Sequence, residues 1–175
     1  MNEAKDQPIY IFEMGFGTDL NAFLTAIETE KCKCKVYYTA TEKTPLSLEE
    51  AGALNYTEVL QHHELFNQLH QTAWSEAKII HHYFTLHKVQ NDLIDYSTDQ
   101  QFYIIYYDAF APNAQPELWT IAIFEKLRSM LSDNGMLVTY CAKGNIRWAM
   151  IVAGFTVKKL PGPPGKREML RVIKS

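Results

Sequence analysis

No stretch of the 175-residue chain reaches the roughly 18 consecutive apolar residues a spanning helix needs, and no apolar run follows a basic amino terminus. Neither membrane insertion nor secretion is therefore expected. Cysteine is scarce: Cys32, Cys34 and Cys141 are odd in number, and Cys32-Lys33-Cys34 has the spacing of neither a CxxC redox pair nor half a zinc site. That excludes a disulfide framework and suits a reducing, cytoplasmic setting. The histidines His62-His63 and His81-His82, with His70 and His87, lack a spaced cysteine or carboxylate partner, and neighbouring side chains on one element diverge, so no metal site is expected. A formal net charge of -3 and a pI near 6.1 exclude a global basic field, so a nucleic-acid partner needs a local patch. Internal repeats, linkers and low-complexity tracts are missing as well.

What is present is a 47% apolar chain, enough for one well-buried core and too short for two ordinary domains, so residues 1–175 are expected to form a single domain. Ile9-Tyr10-Ile11-Phe12 reads as a strand, Gly15 as a turn, and Leu20 to Ile27 as a helix. Lys35 to Ala40 reads as a second strand ending at Thr41-Glu42, Leu46 to Leu69 as one or two helices, and Ile79 to Val89 as extended, with a hairpin feeding a third strand. Phe102 to Tyr107 is a near-continuous β-branched and aromatic run, the pattern of a central parallel strand buried on both faces. A helix over Pro116 to Met130, a strand over Gly135 to Cys141 and a helix over Ile146 to Ala153 follow. The alternation implies a parallel sheet with helices on both faces. Phe155 to Leu160 and Glu168 to Ile173 are joined by a short Pro/Gly loop, which permits only an antiparallel pair.

Chemistry-bearing residues recur where strands end. Glu13-Met14-Gly15-Phe16-Gly17-Thr18-Asp19 puts two glycines at a strand-to-helix turn, where a ligand can approach the backbone and a helix N-terminus. A dinucleotide fingerprint calls for a third glycine at Leu20, which argues against a nicotinamide enzyme. Glu42 ends the second strand, where a carboxylate can accept both hydroxyls of a ribose, and Asp92 follows the third, positioned either for an adenine amino group or as a helix cap. In an open parallel sheet, ligands bind at that carboxyl edge. Asp108-Ala109-Phe110-Ala111-Pro112 leaves the most apolar strand and supplies the catalytic candidate, Asp108. Methyl transfer from a sulfonium to an amine needs the amine neutral, its lone pair aimed and its protons accepted, and a carboxylate on a proline-stiffened loop meets that need. Phe110 and Trp119 are candidates to pack against a flipped base, or simply to fill the core. From Lys143 onward Lys143, Arg147, Lys158, Lys159, Lys166, Arg167, Arg171 and Lys174 face one acid, Glu168, a patch suited to phosphates or a solvated face.

These residues resemble the methyltransferase domain of bacterial tRNA 5-methylaminomethyl-2-thiouridine biosynthesis enzymes, the MnmC type. The resemblance rests on Glu13 to Thr18, Glu42, Asp108 to Pro112 with Pro116-Glu117-Leu118-Trp119, Thr139 to Gly144, and Pro161-Gly162 through Lys166-Arg167-Glu168-Met169. It spans nearly the whole chain. It implies a Rossmann-like class I S-adenosylmethionine (SAM) methyltransferase fold: a mostly parallel seven-stranded sheet with an antiparallel last strand. It further implies transfer of a methyl group from SAM to the exocyclic amine of 5-aminomethyl-2-thiouridine at the tRNA wobble position.

Carried onto this chain, the resemblance gives the methionine part of SAM to Glu13, Gly15 and Gly17, the ribose to Glu42, the adenine side to Asp92 and the substrate amine to Asp108, with Phe16, Thr18 and Asp108 completing the candidate cofactor-binding set. Phe110, Pro112, Trp119, Lys143, Lys166 and Arg167 are the candidate substrate-binding residues. The chain encodes no flavin-dependent oxidase domain and has a short segment before the first strand, so a separate enzyme is expected to supply the amine. Asp19 stands where the family has glycine, and either faces the SAM carboxylate or caps the following helix. The alternatives are a SAM methyltransferase acting on another amine, or a weakened relative that only binds.

Overall fold

The computed structural model describes residues 7–54, 61–162 and 168–174, so Lys166 and Arg167 lie outside the described residues. The chain divides into two compact units, and strand β1 (Ile9–Met14) contributes Ile9 and Tyr10 to the first and Ile11–Met14 to the second. Among the described residues, no helix is long and apolar enough to cross a membrane.

The first unit runs from Gly15 to Leu93. Its helices are α1 (Leu20–Cys32), α2 (Leu48–Gly52) and α3 (His63–Gln71), and its strands β2 (Val36–Glu42), β3 (Ala77–His81) and β4 (Phe84–Gln90). β2 and β4 are parallel from Val36↔Phe84 to Glu42↔Gln90, which brings their carboxyl ends level. β3 and β4 form the antiparallel hairpin that the extended pattern over Ile79 to Val89 suggests, with a register shift between Ile79 and His81. Ser47 starts α2 with a capping box: its hydroxyl accepts from the Glu50 N–H and the Glu50 carboxylate accepts from the Ser47 N–H. Phe23, Ala26, Tyr38, Phe66, Leu69, Phe84 and Leu86 bury the apolar stripes of these elements together.

The second unit takes Ile11–Met14 and everything from Ile94 onward. It holds β5 (Phe102–Tyr107), a 3-10 turn (Pro116–Trp119), helix α4 (Ile121–Met130), β6 (Leu131–Thr139), helix α5 (Gly144–Val152), β7 (Thr156–Pro161) and β8 (Glu168–Ile173). β1 and β5 pair in parallel from Ile11↔Ile104 to Met14↔Tyr107, and β5 and β6 are also parallel. β8 runs antiparallel to both β6 and β7.

Eight strands are thus present among the described residues, one more than the seven expected, because the hairpin strand β3 is added. Two boundaries and one burial pattern also differ. The stretch Pro116 to Met130 is not one helix: it breaks at Thr120, whose extended backbone and hydroxyl, accepting from the Ile123 N–H, start α4 afresh. β6 begins at Leu131 rather than Gly135, since a shift in register between Phe102 and Ile104 lets the strand pair on both sides of the irregularity. β5 is not buried throughout, for Tyr103 is 46% exposed while Phe102, Ile105 and Tyr107 are covered.

Candidate functional site

In the first unit the glycine turn is built from positive-φ residues: Gly15 at φ 88°, Gly17 at 47° and Asp19 at 58°. The left-handed region costs glycine nothing and other residues something, which is why the sequence places glycines there. The N–H groups of Gly15 and Phe16 both donate to the Thr41 carbonyl, at 3.0 and 3.2 Å, and fix the turn to the end of β2. The Gly17 N–H donates to Glu42 Oε2 at 3.1 Å, and the Thr44 N–H donates to Glu42 Oε1 at 2.9 Å. Glu42 is therefore held as an oriented, charged acceptor with a free lone pair on each oxygen. A Cβ added at Gly17 would meet no atom within 4 Å, so this side of the turn is open space beside the carboxylate. Asp92, just past β4, receives Lys43 Nζ at 2.8 Å, and the Asn91 N–H donates to the Glu42 carbonyl at 3.1 Å. The structure thus brings Gly15, Gly17, Glu42 and Asp92 to one edge. This edge suits a ligand with a ribose and an adenine: hydroxyl acceptors, an open backbone approach and a helix start lie together.

Asp19 does not take the expected capping role. It precedes α1 but its side chain makes no capping hydrogen bond, and its carboxylate is fully buried. Asp19 Oδ2 instead lies 3.2 Å from His70 Nε2 on α3. Burial raises the Asp19 carboxyl above the usual range, against the lowering pull of His70 and Lys88. Lys88, on β4, is itself 1% exposed, and its ammonium donates to the Leu69 and His70 carbonyls, both at 2.9 Å. The same ammonium sits 5.1 Å from the Phe16 ring centroid and 4.8 Å from that of Trp74. Phe16, buried at 4%, is packed edge-on by His70 and Trp74, each ring 5.9 Å away. His70, Trp74 and Lys88 form no local motif in the sequence, because they come from separate parts of the fold.

In the second unit Glu13 is 1% exposed on β1, opposite Tyr106. Asp108 is exposed just beyond β5, its N–H donating to the Met14 carbonyl at 3.3 Å. The loop that follows is fastened from below. Tyr140 Oη donates to the Ala109 carbonyl at 2.9 Å, Trp119 Nε1 to the Phe110 carbonyl at 2.8 Å, and Lys143 Nζ to Asn113 Oδ1 at 3.1 Å. Phe110 projects outward at 72% exposure, with Pro112 half-buried two residues on. Trp119 is buried at 5% against Tyr107, Phe124 and Tyr140, so its ring buttresses the loop while Phe110 offers the open aromatic face. Tyr140 is a further candidate: burial first, then Cys141 and Asp108, push its hydroxyl up, which keeps it a neutral donor beside Asp108. Its signal was only its place in Thr139 to Gly144. Of the basic residues, Lys143, Arg147 and Lys158 are exposed, Lys159 pairs with Glu168 at 2.7 Å and Lys174 lies 3.9 Å from Asp133. Among the described residues no group of three or more His, Cys, Asp or Glu side chains is placed to hold a metal ion.

Residues 47–175 match the family described as S-adenosyl-L-methionine-dependent methyltransferase. A protein of Leptospira borgpetersenii serovar Hardjo-bovis (strain JB197), named tRNA 5-methylaminomethyl-2-thiouridine biosynthesis bifunctional protein MnmC, is 30% identical over 181 residues, covering 97% of this chain and 27% of that protein. The protein of the same name from Burkholderia mallei (strain SAVP1) is 28% identical, covering 91% of this chain and 27% of its own length. This chain thus spans about a quarter of these relatives. Among solved structures, MNMC2 from Aquifex aeolicus superimposes with a TM-score of 0.73 at 21% identity, covering 99% of this chain and 55% of that one. The N-methyltransferase NodS from Bradyrhizobium japonicum WM9, in complex with S-adenosyl-L-homocysteine, gives 0.54 at 12% identity, covering 95% and 78%. These two likenesses show the fold, a Rossmann-like α/β methyltransferase fold.

Proposed function

Since the chain belongs to the S-adenosyl-L-methionine-dependent methyltransferase family, with S-adenosylmethionine as its cofactor, we propose that it is a tRNA-modifying N-methyltransferase. In this reading it converts 5-aminomethyl-2-thiouridine to 5-methylaminomethyl-2-thiouridine at the wobble position. The names of its relatives support the substrate. The observation that carries the cofactor assignment is the Gly17 N–H donating to Glu42 at 3.1 Å beside open space.

The bound cofactor supplies an electrophilic methyl group on a sulfonium. Gly15, Phe16, Gly17 and Thr18, with Glu13 preceding them, line its methionine part. Glu42 accepts from the ribose hydroxyls, and Asp92 serves the adenine side. Asp108 accepts a hydrogen bond from the neutral substrate amine and so orients the nitrogen lone pair, and Tyr140 steadies the loop that carries it through the Ala109 carbonyl. Phe110 and Pro112 receive the base, an exposed aromatic being a stacking platform for an unpaired nucleotide. Trp119 supports them from the core. Lys143, with Lys166 and Arg167 from outside the described residues, takes tRNA phosphates. The setting is cytoplasmic, and an oxidase-class reaction provides the free amine.

The test is nucleoside analysis. Purified protein and SAM are incubated with tRNA from cells lacking the native methylating activity, and the tRNA is digested and separated by mass. The aminomethyl nucleoside is expected to gain one methyl group. Methylation of small amines with no change in tRNA would reassign the substrate.

A further inference from the structure

The buried charges of the first unit are costly to desolvate, and nothing in the methyl transfer uses them. Lys88 reaches two carbonyls at the end of α3 and two aromatic rings, and one of those rings, Phe16, stands between the two glycines of the cofactor turn. His70, whose carbonyl Lys88 holds, contacts both Asp19 at the far end of that turn and the Phe16 ring. Trp74, the other wall of the cage, bridges to Lys88 through the backbone, where the Ser75 N–H also donates to the Lys88 carbonyl at 2.6 Å. The turn is therefore clamped at Phe16 and at Asp19 by one cluster. Asp19 and His70 are the ionisable side chains this cluster sets beside the ammonium.

We propose that Lys88, Asp19 and His70 act as positioning residues for the cofactor turn, the Lys88 ammonium gripping Phe16 so that the Gly15–Thr18 backbone is preformed for SAM. The inference rests on the assignment of SAM to that turn. A protonated Lys88 attracts the Phe16 and Trp74 ring faces, and a neutral amine does not. Burial brings the Lys88 ammonium down to about 8, with the Asp19 charge opposing the fall. SAM affinity is accordingly tied to the protonation of Lys88, and loosens as the pH rises through that region.

The test is calorimetric SAM binding from pH 6.5 to 9.5, taking roughly one and a half units either side of the midpoint, for the parent, Lys88→Met, Asp19→Asn and Glu42→Gln. The amine of SAM titrates alike in all four, so the difference between curves belongs to the protein. At the acidic end the parent is expected to bind roughly tenfold tighter than Lys88→Met, and the two curves to converge at the alkaline end. Asp19→Asn should shift the parental fall to lower pH, since Asp19 supports the ammonium charge. A merely structural lysine would lower the melting temperature of Lys88→Met but leave parallel affinity curves, and that result overturns the proposal. If Lys88→Met does not fold, the Asp19→Asn shift decides alone, an unshifted curve counting against. Unchanged affinity in Glu42→Gln would instead show that SAM is not at this turn.

Discussion

Gly17 and Glu42 are 25 residues apart in sequence and joined by a hydrogen bond of 3.1 Å from a backbone N–H to a carboxylate. The same carboxylate takes a second backbone N–H from Thr44, so its charge is fixed in place before any ligand arrives. Glu42→Gln keeps the shape and loses the charge. SAM affinity is expected to fall about tenfold to a hundredfold, the range for a hydrogen bond to a charged group. Calorimetry with SAM checks this, and melting should shift by only a few degrees.

Gly17→Ala separates strain from obstruction. At φ 47° a side chain costs roughly 1–2 kcal/mol, which in a chain of this size lowers the melting temperature by about 2–8 °C. Beyond the flanking Phe16 and Thr18, no atom of the described residues lies within 4 Å of the added methyl, so stability should suffer no packing clash. SAM, approaching on that open side, should meet it directly. Affinity is expected to fall well beyond what the melting shift accounts for.

The buried lysine also leaves a mark on stability against pH. The Lys88 value falls from 10.5 in the unfolded chain to about 8 in the folded one, so between those values the unfolded state holds more protons. Stability from this group is thus fully present above pH 10.5 and is lost as the pH falls through about 8. Denaturant titrations of the parent and Lys88→Met should show the parent gaining relative stability as the pH is raised across that window. Parallel curves would mean that Lys88 is not desolvated.

Phe110 is 72% exposed, so Phe110→Ala should leave melting unchanged. Loss of base stacking should weaken tRNA binding by about 1–3 kcal/mol and spare SAM. Lys143 and Arg147 are exposed, and under the proposed tRNA contact alanine at each should lower the slope of log affinity against log salt by roughly one unit. An unaltered slope in the double variant identifies these cations as a solvated face.

Strand ends and their polar residues were legible in the sequence because each is a local event: an apolar run stops, and a glycine or an acid follows. Glu13, Gly15, Gly17, Glu42, Asp92 and Asp108 all follow that rule, and Glu168–Ile173 forms a strand over the stretch expected. The seventh-to-eighth strand discrepancy and the early start of β6 depend on pairing partners, which local pattern does not specify. The partner of Asp19 is hidden from the local pattern for a related reason. The position of Asp19 before a helix suggested a cap, but His70 and Lys88, brought in from 51 and 69 positions away, offer the carboxylate a buried partner that a helix start does not. Trp119 showed only an aromatic in the right neighbourhood, and its burial against Tyr107 and Tyr140 decides which aromatic faces outward.

Asp108 leaves β5 at an exposed position, and in the proposed reaction it accepts a hydrogen bond from the substrate amine during methyl transfer. Single-turnover methylation of tRNA bearing the free aminomethyl group, run beside a SAM titration on the same protein, tests it most directly. Asp108→Ala is expected to bind SAM within about threefold of the parent while transferring the methyl group about a hundredfold to a thousandfold more slowly. Near-parental transfer by Asp108→Ala, or a slower rate accounted for entirely by lost SAM affinity, would contradict it.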